Sequence, residues 1–138
     1  MFKLGAVLAA LAASTAVSAQ SIEFKSPRPG TTVHRERQTV LTVQTPNNGT
    51  AVQEVSLVLS ILPCPDDSCL DAGQNLGTLL YTGPFAPTGQ PTPQQAFNVT
   101  IPAAFPVGPA ELLATHFVLR GDGHAPYVQI GGEIVFVV

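Results

Sequence analysis

Two cysteines five positions apart in PCPDDSCL (63–70) enclose an acidic pair, Asp66 and Asp67, with Asp71 just beyond. Four kinds of chemistry use such residues, and spacing separates them. A zinc site needs four ligands, whereas this stretch supplies two thiols and has no neighbouring histidine. A dithiol redox centre is normally Cys-x-x-Cys beside a βαβ unit, a spacing and a setting missing here. Asp66, Asp67 and Asp71 lack the ordered ligand register of an EF-hand loop, so Ca²⁺ is not expected either. A disulfide between Cys64 and Cys69 remains. By the chain-entropy argument, closing so small a loop stabilises the fold by roughly 2 kcal/mol. No metal and no cofactor is expected.

Catalytic groups are sparse. His34, His116 and His124 are the only histidines. His116 falls within a run where Leu112, Ala114 and Val118 share its side, which reads as a packed or edge histidine rather than a base. His124 lies near Asp122 in a turn, but no Gly-x-Ser-x-Gly elbow marks a nucleophile. Glu23, Glu54, Glu111 and Glu133 fall on extended segments with no spacing that indicates a glycosidase pair. The chain has no tryptophan and two tyrosines, so sugar binding by stacked aromatics has little to work with. The expectation is a protein that is not an enzyme.

Two sequons, Asn48-Gly49-Thr50 and Asn98-Val99-Thr100, make Asn48 and Asn98 expected glycosylation sites in a secreted chain. Arg120-Gly121-Asp122 spells an integrin-type tripeptide, but it ends an extended run where Gly-Asp-Gly serves as a turn.

The compartment is read from the N-terminus. Lys3 is followed by an apolar, alanine-rich run to Val17, and Val17 and Ala19 stand at the small-residue positions of a signal-peptidase site. Residues 1–19 are therefore expected to be a cleaved secretory signal, since the run is short for a span of about 20 residues. Residues 20–138 then form one domain of 119 residues with net charge −4, from five Lys/Arg and nine Asp/Glu. No basic run points to nucleic acid. The terminal EIVFVV is too short, and lacks the polar spacer, for a GPI signal. A secreted, extracellular protein without a membrane span is expected, and oxidising surroundings favour the Cys64–Cys69 bond.

Thirteen prolines and twelve glycines punctuate short segments rich in Val, Ile, Thr and Phe. Seven strands are expected: 21–26, 38–45, 52–62, 76–83, 96–101, 110–121 and 127–138. PNNG turns the chain after the second, and a Pro/Gly/Thr/Gln-rich excursion (84–95) follows the fourth. In the third, Val55, Leu57, Leu59 and Ile61 share one face, and Glu54, Ser56 and Ser60 the other. In the fifth, Phe97, Val99 and Ile101 point opposite to Asn98 and Thr100. The sixth is apolar on both faces, as a covered central strand should be. Gly131-Gly132 suggests a bulge or kink in the last. The fold class is all-β, a two-sheet immunoglobulin- or fibronectin-like sandwich.

LGTLLYTGPF (76–85), followed by QAFNVTIPAAFPVGPAELLATHFVLRG (95–121), resembles the necrosis-inducing secreted protein family of fungi. The shared pattern is a Leu-Gly-Thr strand ending in Tyr-x-Gly-Pro-Phe, a Pro-rich loop, Phe-x-Val-x-Ile-Pro, a Phe-Pro-x-Gly turn and a strand carrying Thr-His-Phe. The resemblance implies a secreted effector that acts by binding a host or cell-surface protein and suppresses plant immune signalling through receptor-associated kinases. It carries over no functional residue. IEFKSPRPGTTVHRERQTVLTV (22–43) is similar to the opening of fungal wall proteins with an immunoglobulin-like domain, which implies a wall-associated or polysaccharide-binding module as the alternative. The contact surface is expected on the 84–95 excursion and the Cys64–Cys69 loop, because loops on a rigid scaffold carry function.

Overall fold

The computed structural model describes residues 22–45 and 52–138. The expected signal segment, the PNNG turn and Asn48 lie outside the described residues.

Period-two alternation builds most of the elements. The strands are β1 (Glu23–Ser26), β2 (Thr32–Val33), β3 (Gln38–Gln44), β4 (Val52–Pro63), β5 (Thr78–Gly83), β6 (Gln94–Thr100), β7 (Gly108–Arg120) and β8 (Ala125–Val137). They form a three-stranded sheet ordered β1-β3-β6 and a five-stranded sheet ordered β2-β8-β7-β4-β5. This is the two-sheet, all-β sandwich of immunoglobulin type, with the leading strand divided between the sheets. The eighth strand is the addition to the expected seven. β2 is two residues long and pairs parallel to β8, with Thr32 opposite Phe136 and Val33 opposite Val137. A two-residue strand is too short to show a period, so nothing in the sequence marks it.

The core lies between the sheets. Leu41 and Val43 of β3 and Phe97 and Val99 of β6 face Leu57, Leu59 and Ile61 of β4, Leu112 of β7, and Val135 and Val137 of β8. Leu57, Leu59 and Ile61 are fully buried, each worth roughly 1.5–3 kcal/mol of transfer free energy. β7 pairs along its whole length with β8, from Gly108 opposite Val137 to Arg120 opposite Ala125, and on its other edge with β4. Its outward Leu113 is buried as well, whereas Phe117 and Leu119 on that face are half-buried.

Two local expectations are corrected. The face assignment in β4 holds from Leu57 onward but fails at its start. The register with β7 shifts between Glu54 and Ser56, so Val55 is the extra residue of a bulge. Val55 therefore turns out to solvent, and Glu54, opposite Val118, turns to the inner face. Conversely, Gly131-Gly132 makes no bulge, because β8 holds an unbroken register with β7 through both residues. The reason for glycine at 131 is close approach: a Cβ there would fall against the Ile22 carbonyl oxygen, which is backbone. At 132 a Cβ would meet the end of the Glu111 side chain, which can swing away.

Gly131→Ala should therefore cost about 1–3 kcal/mol, as overpacking against backbone does, and Gly132→Ala clearly less. Urea unfolding of both variants checks this, and equal losses would refute the close-approach account.

Candidate interaction surfaces

The Cys64–Cys69 loop begins where β4 ends. The Cys64 N–H donates to the Pro109 carbonyl at 2.9 Å, extending the β4–β7 ladder by one bond. Cys64 and Cys69 are joined as a disulfide with Cα atoms 4.1 Å apart. A single 3₁₀ turn, Pro65–Asp67, lies inside it and is closed by the Ser68 N–H donating to the Pro65 carbonyl at 3.0 Å. Asp66 and Asp67 sit at φ 54° and 58°, in the left-handed region that aspartate tolerates better than most residues. Both are exposed, so they shape the turn and face water.

The Glu111 carboxylate approaches both sulfurs of this loop, all three ligand atoms lying within 4.8 Å of one another. Bonded to each other, the sulfurs offer no thiolate to a cation. Desolvation by burial raises the Glu111 carboxyl above the usual glutamate range, and the same cause raises Glu133. Both line a concavity of about 480 Å³ shared with Glu23, Phe24 and Pro29.

The proline-rich segment between β5 and β6 is anchored at several points. Phe85 is buried against Phe97 and His116, with ring centroids 6.2 and 5.2 Å away. The Tyr81 hydroxyl donates to the Pro84 carbonyl at 2.6 Å, and the Ala86 N–H donates to Gln95 Oε1 at 2.9 Å. Thr88 and Gln94 exchange two backbone hydrogen bonds of 3.0 Å, which leaves residues 89–93 as a small closed tip. Beside that tip a concavity of about 220 Å³ is lined by Lys25, Gln44 and Gln94, and Lys25 Nζ donates to Gln94 Oε1 at 2.9 Å.

The structure does not bring the two expected contact loops together. Cys64 lies beside Pro109, at the end of the sandwich that also holds Val137, Arg35 and Ile101. The proline-rich segment enters β6 at Gln94, opposite Gln44 at the far end of β3. It shares that end with the β7–β8 hairpin tip, residues 121–124. There the Arg120 guanidinium stacks 3.6 Å over the Tyr127 ring, so the arginine of the Arg-Gly-Asp triplet is committed within the fold.

The inner face holds a polar pair that the sequence did not reveal. His116 is 3% exposed, and its Nε2 is hydrogen-bonded to Glu54 Oε2. Its Nδ1 is buried without a partner, and the Phe85 ring meets it nearly perpendicularly, at 85°. His116 was legible as an inward residue from its neighbours. Glu54 was not, because alternation places it outside and only the bulge at Val55 brings it in. Among the described residues, neither belongs to a nucleophile–base arrangement.

The Nis1 family model (necrosis-inducing secreted protein 1) matches residues 17–131. The chain belongs to the Nis1 family. It is thus an effector-like protein of a secreted, necrosis-inducing family. No curated protein matches the chain. Among the described residues no helix is long and apolar enough to cross a membrane.

In this Nis1-family sandwich the sequon residue Asn98 is exposed on the outer face of the three-stranded sheet, opposite Val40 of β3. A glycan at Asn98 would lie over that face and leave the five-stranded sheet and both loop ends open.

Two measurable consequences follow from these contacts. Glu54→Ala leaves both His116 ring nitrogens unbonded in a buried site and should cost about 1–3 kcal/mol. Adding His116→Leu should recover much of that loss, because an apolar replacement leaves nothing unpaired; a double variant no more stable than Glu54→Ala would refute the pairing. The Glu111 shift fixes a pH dependence. Its folded-state value lies above its unfolded one, so its contribution is present below the unfolded carboxylate value and is lost as pH rises through the raised one. Glu111→Gln should accordingly raise the melting temperature at neutral pH and leave it unchanged in acid, below the ordinary glutamate value.

Proposed function

We propose that this protein is a secreted, extracellular effector that acts by binding a host cell-surface protein, and that it dampens immune signalling through receptor-associated kinases. Catalysis has no part in this reading. The supporting observation is the built character of the 84–95 segment: a buried aromatic anchor at Phe85, two side-chain bonds and a closed tip. A loop held in one conformation before binding loses less entropy on association. The exposed tip, with Gly89, Gln90 and Pro91, stands at the same end as the β7–β8 turn, and these form the proposed contact surface. The disulfide loop, at the other end, is assigned a scaffolding role. His116, Glu54 and Arg120 are engaged in internal contacts, which agrees with action by binding.

Capture of membrane proteins from plant extract on the immobilised mature chain tests this. Replacing residues 86–93 with a Gly/Ser linker, while keeping Phe85 in the core, should weaken capture by about tenfold or more, as removal of a binding hot spot does. Capture unchanged by the replacement would overturn the assigned surface. Retention on insoluble glucan or chitin, without any membrane protein captured, would instead establish a wall-polysaccharide module.

A further inference from the structure

The edge of β8 carries an arrangement that neither the core nor the loops use. Backbone groups of alternate residues face away from β7. The Gly30 N–H donates to the Ile134 carbonyl at 2.8 Å, the Phe136 N–H to Thr31 at 3.0 Å and the Val138 N–H to Val33 at 2.9 Å. By the same alternation Val128, Ile130 and Gly132 direct their N–H and C=O groups to that side, where no strand lies among the described residues. Sheet edges are normally blunted by a lysine, a bulge or a proline. Here the register with β7 is unbroken and no lysine is present. The only proline in β8 is Pro126, at its start. The outward side chains along the strand are apolar and exposed: Val128 56%, Ile130 40%, Ile134 40% and Phe136 44%.

We propose that this edge is a homodimer interface, in which residues 128–132 of two copies pair antiparallel about a two-fold axis at Ile130. The two five-stranded sheets then become one continuous sheet. The register follows from complementarity within a single strand. It sets Val128 against Gly132 of the second copy, over which the end of the Glu111 side chain lies and can swing aside, and Ile130 against its own counterpart. On the other face it sets Tyr127 against Glu133 of the second copy. Glu133 is half-buried; its Oε2 is enclosed without a hydrogen-bond partner, and its other oxygen is the acceptor that the Tyr127 hydroxyl would meet. The Arg120 guanidinium stacked on Tyr127 brings a positive charge toward that carboxylate. Two-fold symmetry makes each contact twice, as an isologous interface requires. An extended segment of an unrelated protein would satisfy the backbone groups, but it would meet Glu133 only if it carried a donor at that one position of the register. This charge complementarity selects a second copy as the occupant. One strand pair buries a modest area, so the dimer is weak and reversible.

Sedimentation equilibrium of the mature chain over a micromolar-to-millimolar series, with amide hydrogen exchange on the same samples, tests the proposal. A reversible dimer is expected, with the Val128, Ile130 and Gly132 amides gaining protection as concentration rises. Ile130→Lys and, separately, Glu133→Ala should each raise the dimer dissociation constant by about tenfold or more. Melting curves matching the unsubstituted chain would show that both variants fold. A monomer throughout the series overturns the proposal, as does a dimer that neither substitution weakens. Equal protection of the three amides at monomeric dilution also overturns it, because the edge would then be held without a second copy.

Discussion

The pairing of β7 with β4 on one side and β8 on the other is the constraint on which the molecule depends. β7 runs thirteen residues and exchanges backbone hydrogen bonds along both edges. A buried strand has no water to bond its amides, so any shift in this register would leave polar groups unpaired. It would also move Leu112 and His116 off the inner face. The smaller sheet is held against this plate by side chains: Leu41, Val43, Phe97 and Val99 meet Leu57, Leu59 and Ile61 across the core. Polar exceptions are admitted where the plate is already fixed, as with His116 and Glu54.

This rigidity places the two candidate loops. Loops at opposite ends of a sandwich cannot approach one another, because the strands between them neither bend nor slide. The disulfide loop and the proline-rich segment are therefore separate features, although only eight residues divide Cys69 from Thr78 and the start of β5. The former continues the β4–β7 ladder and is stapled. The latter crosses between sheets and is pinned by Phe85, Tyr81 and Gln95. A short linear distance along the chain thus says little about which residues act together.

Much of the strand pattern was legible, for a physical reason. Alternation has a period of two residues, and Phe97 and Val99 against Asn98 and Thr100 display it without interference. The disulfide was legible because few other chemistries suit two cysteines at that spacing. Where the reading failed, a contact distant in sequence decided the matter. Val55 looks like the first of four inward residues, yet the bulge opposite β7 sends it out. Gly131 looks like a break in a strand, yet it is glycine because the Ile22 backbone crosses there.

The sequence by itself determined the class of fold, the positions of seven strands, the cysteine pair and the family resemblance. These are properties of local period, turn chemistry and short-range spacing, each written within a few adjacent residues. The tertiary structure alone decided that Glu54 meets His116, that Glu111 lies beside the disulfide, and that the two candidate loops stand at opposite ends. It also decided that residues 128–132 of β8 have no strand on the side away from β7 among the described residues. Each of these depends on which strand lies beside which, and in what register. That is fixed only when the whole set of strands closes around one core.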